Sequence, residues 1–154
     1  MAKSSAGLLM FRRRGGIVEV LLAHPGGPFW AKKDLGAWSI PKGEFDPNED
    51  PLEAAKREFE EETGLPASGQ FIPLAPIKQP GGKIVYAWAF EGDCDVSAII
   101  SNTFSIEWPP RSGRQQSFPE IDRAQWFSFD AAREKITKGQ SGFIEELQRI
   151  LDEE

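Results

Sequence analysis

The stretch "GEFDPNEDPLEAAKREFEEETGL", residues 43–65, decides how this chain folds and what chemistry it can support. It concentrates acidic side chains in one short segment, and three of them, Glu60–Glu62, are consecutive. Like charges at helical spacing repel each other by about 0.2–0.5 kcal/mol per pair. The segment therefore raises the question of what compensates this repulsion.

The ends of a helix can be read from this segment. Asp50 fits the N-cap and Pro51 the first helical position, and Glu53 can complete a capping box. Gly64 supplies the left-handed residue that ends helices. These signals predict a helix over residues 51–63, with one apolar stripe that packs on a sheet, formed by Leu52, Ala55 and Phe59.

The acidic side chains of this helix fall into two groups. Glu58, Glu61 and Glu62 are spaced i, i+3, i+4 and share one face beside the apolar stripe. A second group points to solvent: Glu53, Lys56 and Glu60. Three clustered carboxylates suit a hard divalent cation such as Mg²⁺, which prefers oxygen ligands. The alternative interpretation is a solvated acidic face paired with Lys56 and Arg57.

The rest of the chain predicts strands and further helices around one core. The first two strands are "AGLLMFRRR" and "GGIVEVLLAHP", and "FIPLAPIKQ" and "GKIVYAWAFEG" form another pair. Shorter strands are expected over 37–40, over 104–108 and in "AQWFSF", with the remainder of 101–122 as loop. "DAAREKI" and "SGFIEELQRILDEE" are helical. The pattern indicates an α/β sandwich with a mixed sheet, with core tryptophans Trp38, Trp88 and Trp126.

The residues around the acidic helix match a known motif. The segment resembles the Nudix box at all nine of its defined positions: Gly43, Glu49, Arg57, Glu58, Phe59, Glu61, Glu62, Gly64 and Leu65. The preceding "GAWSIPKGE" is similar to the strand that leads into the box in this family. The later "PEIDRAQWFSFDAA" is similar to the segment by which many members close the site.

The resemblance implies a fold and a reaction class. Nudix enzymes share an α/β/α sandwich with a mixed central sheet, and they hydrolyse a nucleoside diphosphate linked to another moiety. The box then implies that Glu58, Glu61, Glu62 and the carbonyl of Gly43 bind Mg²⁺, or Mn²⁺ in its place. Glu49 and Arg57 are implied to be a supporting pair that orients the loop and the helix.

Further candidate roles in catalysis and substrate binding fall on one member of the metal set and on residues outside it. Glu61 and Glu120 are the candidate general bases, and Glu120, six residues before Trp126, is also a candidate metal ligand. Lys42 in "PKGE" is a candidate phosphate contact. Base stacking is expected from aromatic residues in or near Gly/Pro-rich loops, namely Phe29, Trp30 and Trp108, and from the single tyrosine, Tyr86.

The resemblance leaves the substrate open. "WSIPKGE" and Glu120 favour a dinucleoside polyphosphate such as diadenosine tetraphosphate. Nucleotide sugars, modified nucleoside triphosphates and RNA 5′ ends are alternatives. A catalytically idle Nudix-fold module that binds a nucleotide is the alternative from another class, although this chain keeps every box carboxylate.

Length and composition set further expectations. The 154 residues predict a single domain over 1–154. A net charge of −6 disfavours long nucleic acid as a partner. One cysteine, Cys94, and one histidine, His24, rule out an intrachain disulfide and a multi-histidine metal site. We expect a cytoplasmic enzyme without a membrane segment that acts on a small nucleotide; homodimerisation is left open.

Overall fold

The computed structural model describes residues 4–154. Its strands are β1 (Ser5–Arg14), β2 (Ile17–Pro25), β3 (Lys42–Glu44), β4 (Ile72–Lys78), β5 (Ile84–Glu91), β6 (Thr103–Glu107), β7 (Gln115–Pro119) and β8 (Ile121–Ser128). Its α-helices are α1 (Pro51–Thr63), α2 (Phe129–Lys135) and α3 (Ser141–Asp152). Within these residues, no helix combines the length and apolar character needed to cross a membrane.

The main sheet is mixed and has β1 near its centre. Its strand order is β4-β5-β1-β2-β8, with β3 paired to β1 beyond this path. β1 runs parallel to β5 and antiparallel to β2 and β3. β6 and β7 form a separate two-stranded sheet, which we call the arm (103–119).

The helices cover both faces of the main sheet. Side chains alternate across a strand, so Leu8 and Met10 of β1 pack with α1, whereas Leu9 and Phe11 pack with α2 and α3. On the α1 side Phe59 is completely buried, and on the other side Phe143 is completely buried. The three layers confirm the predicted α/β/α sandwich.

Two details of the predicted secondary structure are wrong. Residues 37–40 form only isolated bridges, Ala23–Ser39 and Trp38–Ile136, and continuous pairing with β1 begins at Lys42. Pro41 separates the two segments, and proline cannot donate to a strand ladder. The predicted loop over 101–122 contains β7, which pairs with β6 although its sequence "QQSFP" lacks an apolar alternation.

The predicted tryptophan core is only partly observed. Trp38 is 1% exposed and lies in the cluster on the α2–α3 side. Trp88 and Trp126 are half-buried at the border of the other cluster. Trp126 lies under the guanidinium of Arg12, 4.2 Å from its ring centroid, so a charged side chain covers the face that the sequence alone assigns to the core.

Candidate active site

The helix α1 begins and ends where the sequence predicts. Asp50 Oδ2 accepts a hydrogen bond of 3.0 Å from the amide of Glu53, which caps the N-terminus. Gly64 adopts a left-handed φ of 76°, and its amide donates to the carbonyl of Glu60 at 2.7 Å. The Glu53 carboxylate lies 3.5 Å from Lys56 Nζ instead of returning to the cap, so one half of the predicted capping box forms.

The cluster carboxylates differ in their exposure. The Glu58 side chain is 15% exposed and Glu61 is 45% exposed. Glu62 is half-buried, and its Oε2 accepts a hydrogen bond of 2.7 Å from the amide of Lys42. This hydrogen bond joins α1 to the start of β3, so the predicted helix face meets the strand that carries Gly43.

Gly43 lies against the carboxylate of Glu58. A side chain at this position would overlap Glu58 Oε1, Cδ and Oε2, so only glycine permits the observed approach. β3 and α1 are therefore in direct contact at the point where the Nudix-box resemblance puts a backbone carbonyl beside the carboxylates.

The environment of Glu62 disfavours its negative charge. Burial raises the pKa of Glu62 to about 8, and the charges of Glu58 and Glu120 add to this increase. The hydrogen bond from the Lys42 amide and the charge of the Lys42 side chain act in the opposite direction. Glu62 is therefore a carboxylate that is held near other carboxylates in a partly desolvated position.

The environment of Glu58 acts in the same direction. Burial raises the pKa of Glu58 to about 7, and the neighbouring carboxylates of Glu61 and Glu120 contribute to this shift. The positive charge of Arg57 opposes it. Glu58 and Glu62 thus share one electrostatic environment with Glu120, which is distant in the sequence.

Glu120 reaches this environment from the junction between β7 and β8. Its amide donates to the carbonyl of Asn102 at 2.8 Å, and its carbonyl accepts from the amide of Gly26 at 2.9 Å. The amide of Asn102 in turn donates to the carbonyl of Glu61 at 3.3 Å. Asn102 is a connecting residue that sequence reasoning missed, because nothing in its local pattern reveals a contact made across the fold.

A cavity of about 200 Å³ opens between α1, β2 and β8. Its lining includes Lys42, Glu62 and Glu120, together with Ala23, Pro25, Ser39, Ile40 and Ile121. A larger groove of about 630 Å³ runs along α1, and its lining includes Arg57 and Glu61 as well as Glu53 and Glu60. The smaller cavity is the one in which the half-buried Glu62, the exposed Glu120 and a lysine meet.

Lys42 adds a positive charge to the acidic cavity. Burial lowers the pKa of its ammonium, and the nearby charge of Lys83 lowers it further, whereas Glu62 and Glu44 oppose the shift. The Lys42 side chain and the Glu62 carboxyl group thus line the same cavity.

Glu49 and Arg57 form the ion pair that the box resemblance implies. Arg57 Nη1 donates to Glu49 Oε2, and Glu49 Oε1 also accepts from the amide of Asp46 at 3.1 Å. These contacts lower the pKa of Glu49, first through the hydrogen bond from the Asp46 amide and second through the hydrogen bond from Arg57. Arg57 also lies 4.0 Å from Glu58 and 3.9 Å from Glu61, so it connects the loop before α1 to the cluster.

The candidate stacking residues occupy two separate places. Trp30 is 40% exposed, and Trp108 packs edge-to-face with Phe29 at a centroid distance of 5.5 Å. Tyr86 lies instead on β5, half-buried, and packs on Phe45 at 6.0 Å. The structure therefore brings the loop after β2 together with the arm (103–119), while Tyr86 belongs to the packing beneath α1.

The donor set suits a hard divalent cation in its chemistry. Among residues 4–154, no three acidic, histidine or cysteine side chains are already arranged to hold an ion. Burial and neighbouring carboxylates nevertheless raise the pKa of both Glu58 and Glu62, and a cation bound among such carboxylates reverses that shift. Glu61 and Glu120, both exposed, are the further carboxylates of this cluster.

The fold and this cavity define a class of protein: an α/β/α sandwich in which a loop–helix–loop presents clustered carboxylates. The chain belongs to the Nudix family, because residues 1–147 match the family model described as the NUDIX domain. It is accordingly a hydrolase that acts on phosphoric anhydride bonds.

Similar proteins with known names fall into two groups. The bis(5′-nucleosyl)-tetraphosphatase [asymmetrical] of Rattus norvegicus is 39% identical over 114 residues, 66% of this chain and 74% of that protein. The RNA pyrophosphohydrolase of Rhizobium meliloti (strain 1021) is 35% identical over 137 residues, 71% of this chain and 75% of that protein. The match to the RNA pyrophosphohydrolase of Erythrobacter litoralis (strain HTCC2594), 49% identical over 53 residues, spans only 32% of that protein.

Solved structures share the fold over the whole chain. One is a C. elegans Ap4A hydrolase binary complex, which matches with a TM-score of 0.65 at 22% identity. The match covers 99% of this chain and 100% of that one. The NUDIX domain of Shewanella oneidensis NrtR, complexed with ADP ribose, has a TM-score of 0.66 at 14% identity, with 98% and 89% covered. At these identities the likeness establishes the fold alone.

Proposed function

We propose that this Nudix hydrolase cleaves a dinucleoside polyphosphate, with diadenosine tetraphosphate as the representative substrate, in a reaction that depends on a divalent cation. The observation that carries the proposal is the convergence of Glu58, Glu62 and Glu120 on one environment, with Lys42 beside them. A 39% identical relative carries the name of a tetraphosphatase for such compounds.

The metal-binding residues in this proposal are Glu58, Glu61, Glu62 and Glu120, with the carbonyl oxygen of Gly43. A divalent cation held by these residues, Mg²⁺ or Mn²⁺, would neutralise charge on the phosphate oxygens and would make phosphorus more open to attack by water. Gly43 supports this assignment, since its missing side chain lets β3 approach the Glu58 carboxylate.

The side chains of this chain supply positioning and proton transfer. Either Glu61 or Glu120 accepts the proton of the attacking water, because both are exposed members of the cluster. Lys42 contacts a phosphate oxygen of the substrate from its position in the cavity. The Glu49–Arg57 ion pair holds the loop before α1 in a fixed position relative to the carboxylates.

Hydrolysis of RNA 5′ ends is the second candidate function. A relative named RNA pyrophosphohydrolase is 35% identical and covers 71% of this chain. The net charge of −6 counts against a long nucleic acid, so the small nucleotide is the preferred substrate. We place the enzyme in the cytoplasm as part of the same proposal.

A substrate panel tests this function directly. Phosphate or nucleotide release is measured on diadenosine tetraphosphate, a nucleotide sugar, a nucleoside triphosphate and a triphosphorylated RNA, each with Mg²⁺ and with chelator. We expect strong, metal-dependent cleavage of diadenosine tetraphosphate. Preferential cleavage of the RNA favours the second candidate, and silence across the panel from folded protein contradicts the proposed activity and favours a nucleotide-binding module.

A further inference from the structure

Two aromatic side chains that the proposed chemistry leaves unused, the exposed Phe29 and the half-buried Trp108, lie together at one side of the active site. Phe29 is 63% exposed on the loop after β2, and it packs edge-to-face on Trp108 at the tip of the arm. Aromatic side chains at such positions can stack on nucleobases. We call this pair, Phe29 and Trp108, the aromatic platform.

The platform is joined to the active site through the backbone. The amide of Gly26, three residues before Phe29, donates to the carbonyl of Glu120. A side chain at Gly26 would overlap the carbonyl of Pro119, and a Cβ on Gly27 would lie 2.8 Å from the ring of Phe104. The loop after β2 therefore packs directly against the arm, and this contact begins beside the candidate site residue Glu120.

The loop that carries Phe29 is also fixed at its other end. His24 is completely buried, with Nε2 donating to the carbonyl of Lys33 at 2.6 Å and Nδ1 2.9 Å from Asp122 Oδ1. The next residue, Asp34, accepts from Trp38 Nε1 at 2.9 Å. A Gly/Pro-rich loop held in this way presents its aromatic side chains in a preorganised arrangement, which lowers the entropic cost of binding.

Basic residues occur on both segments that carry the aromatic platform. Lys33 Nζ lies 4.9 Å from the ring centroid of Trp30 on the same loop. Across the arm, the carbonyl of Arg114 accepts from the amide of Trp108 at 3.0 Å, and Arg111 lies in the tip, where Glu107 Oε1 accepts from its amide at 3.1 Å. Aromatic faces beside basic side chains suit nucleobases attached to phosphates.

The length of the arm determines which part of a substrate the aromatic platform can meet. Trp108 is five residues beyond Thr103, which pairs with Pro119 at the root of the arm. At about 3.4 Å per strand residue this is a distance of about 17 Å. Trp108 therefore lies well away from the root of the arm, which leads into Glu120, at a distance that a chain of several phosphates with a nucleoside at each end can cover.

We propose that the aromatic platform binds the second nucleobase of a dinucleoside polyphosphate, so that Phe29 and Trp108 select substrates that carry a nucleoside at both ends. This inference rests on the proposed function and adds a specificity determinant to it. Base–aromatic stacking of about 1–3 kcal/mol corresponds to an affinity change of roughly 5- to 150-fold.

Two substrates that differ by one nucleoside test the platform. Steady-state kinetics on diadenosine tetraphosphate and on adenosine tetraphosphate are compared for wild type, Phe29→Ala, Trp108→Ala and Trp108→Phe. We expect either alanine variant to raise KM for the dinucleoside substrate by roughly 10- to 100-fold. KM for the mononucleotide substrate stays within about twofold, and Trp108→Phe, which keeps an aromatic face, restores most of the loss.

A matched control separates stacking from general surface effects. Ile17 is 60% exposed at the β1–β2 turn, at the opposite end of β2 from the active site, so Ile17→Ala is expected to change neither substrate. An equal loss on both substrates in the platform variants, or no loss on either, overturns the platform alone. Wild-type protein that cleaves neither substrate overturns the proposed function and the platform with it.

Discussion

The two faces of α1 carry the same acidic side chain under different conditions. Glu53 on the outer face is 71% exposed and has only Lys56 nearby. Glu58 on the inner face is 15% exposed, lies against Gly43, and has a pKa raised to about 7 by burial and neighbouring carboxylates. This difference shows that the number of acids in the helix does not decide the properties of each carboxylate. Desolvation by β3 separates a carboxylate with a raised pKa from a solvated one.

The largest effect is expected from Glu62→Gln on the inner face. Glutamine can still accept the hydrogen bond from the Lys42 amide, but it removes the negative charge. We expect turnover to fall by roughly three orders of magnitude, the scale of losing one preorganised electrostatic group, while the melting temperature does not fall. Kinetics and thermal unfolding check this, and Glu61→Gln is expected to behave similarly. Near-normal turnover would remove both residues from the proposed metal set.

The next largest effect is expected from filling the space between Gly43 on β3 and Glu58 on α1. Gly43→Ala introduces a methyl group that overlaps the Glu58 carboxylate, so the carboxylate has to rotate away. We expect about a 10- to 100-fold loss of activity, as for other changes that displace a ligand, measured as kcat/KM. Gly139→Ala is the matched control, because a Cβ there meets only Gln79 Nε2 at 3.4 Å. Equal activity of the two variants would contradict a role for this close approach.

A smaller effect is expected in the pH dependence of stability without metal. The pKa of Glu62 in the folded protein is about 8, against an ordinary value of 4.5. At a pH between these two values, the folded state therefore binds more protons than the unfolded state. Stability therefore falls as pH rises from about 4.5 to about 8. Melting curves in chelator from pH 6 to pH 9 should show this decline, and Glu62→Gln should make it shallower, with the raised pKa of Glu58 accounting for the decline that remains. A melting temperature that instead rises over this interval would contradict the desolvated environment of Glu62.

The smallest effect is expected on the outer face. Glu53→Gln and Glu60→Gln remove exposed charges that make at most a surface ion pair, here 3.5 Å from Glu53 to Lys56. We expect activity within about twofold of wild type and stability within about 0.5 kcal/mol, by the same kinetic and thermal measurements. A large loss of activity in either variant would mean that the two faces of α1 do not differ in the way described.

The ends of α1 and the placement of its side chains are predictable from sequence, because they depend on residues within the helix and next to it. Asp50, Pro51 and Gly64 fix the helix ends through their own backbone and side-chain chemistry. The spacing of Glu58, Glu61 and Glu62 then fixes a shared face, whatever the rest of the fold is. The α/β/α layering follows similarly from apolar periodicity in β1, α1 and α3.

The arm and its contacts were less predictable, because they depend on pairing between distant residues. β7 has no apolar alternation, and it is a strand only because β6 offers it a backbone partner. Likewise, no local pattern connects His24 to Asp122, or Asn102 to Glu61 and Glu120, since each contact needs the completed sheet. The sequence predicts a core position for Trp126, because nothing near it in the chain reveals that Arg12 covers its ring.

The arm pairs only with itself, as a two-stranded sheet outside the main one among residues 4–154. Its tip can therefore lengthen, shorten or change sequence without shifting the register of any strand that supports α1. Loop-closure entropy opposes such changes only weakly, at about 0.6 kcal/mol for each doubling of loop length. Recognition of the far end of a substrate can thus diversify in evolution, or be exchanged by design, as a module separate from the cleavage machinery.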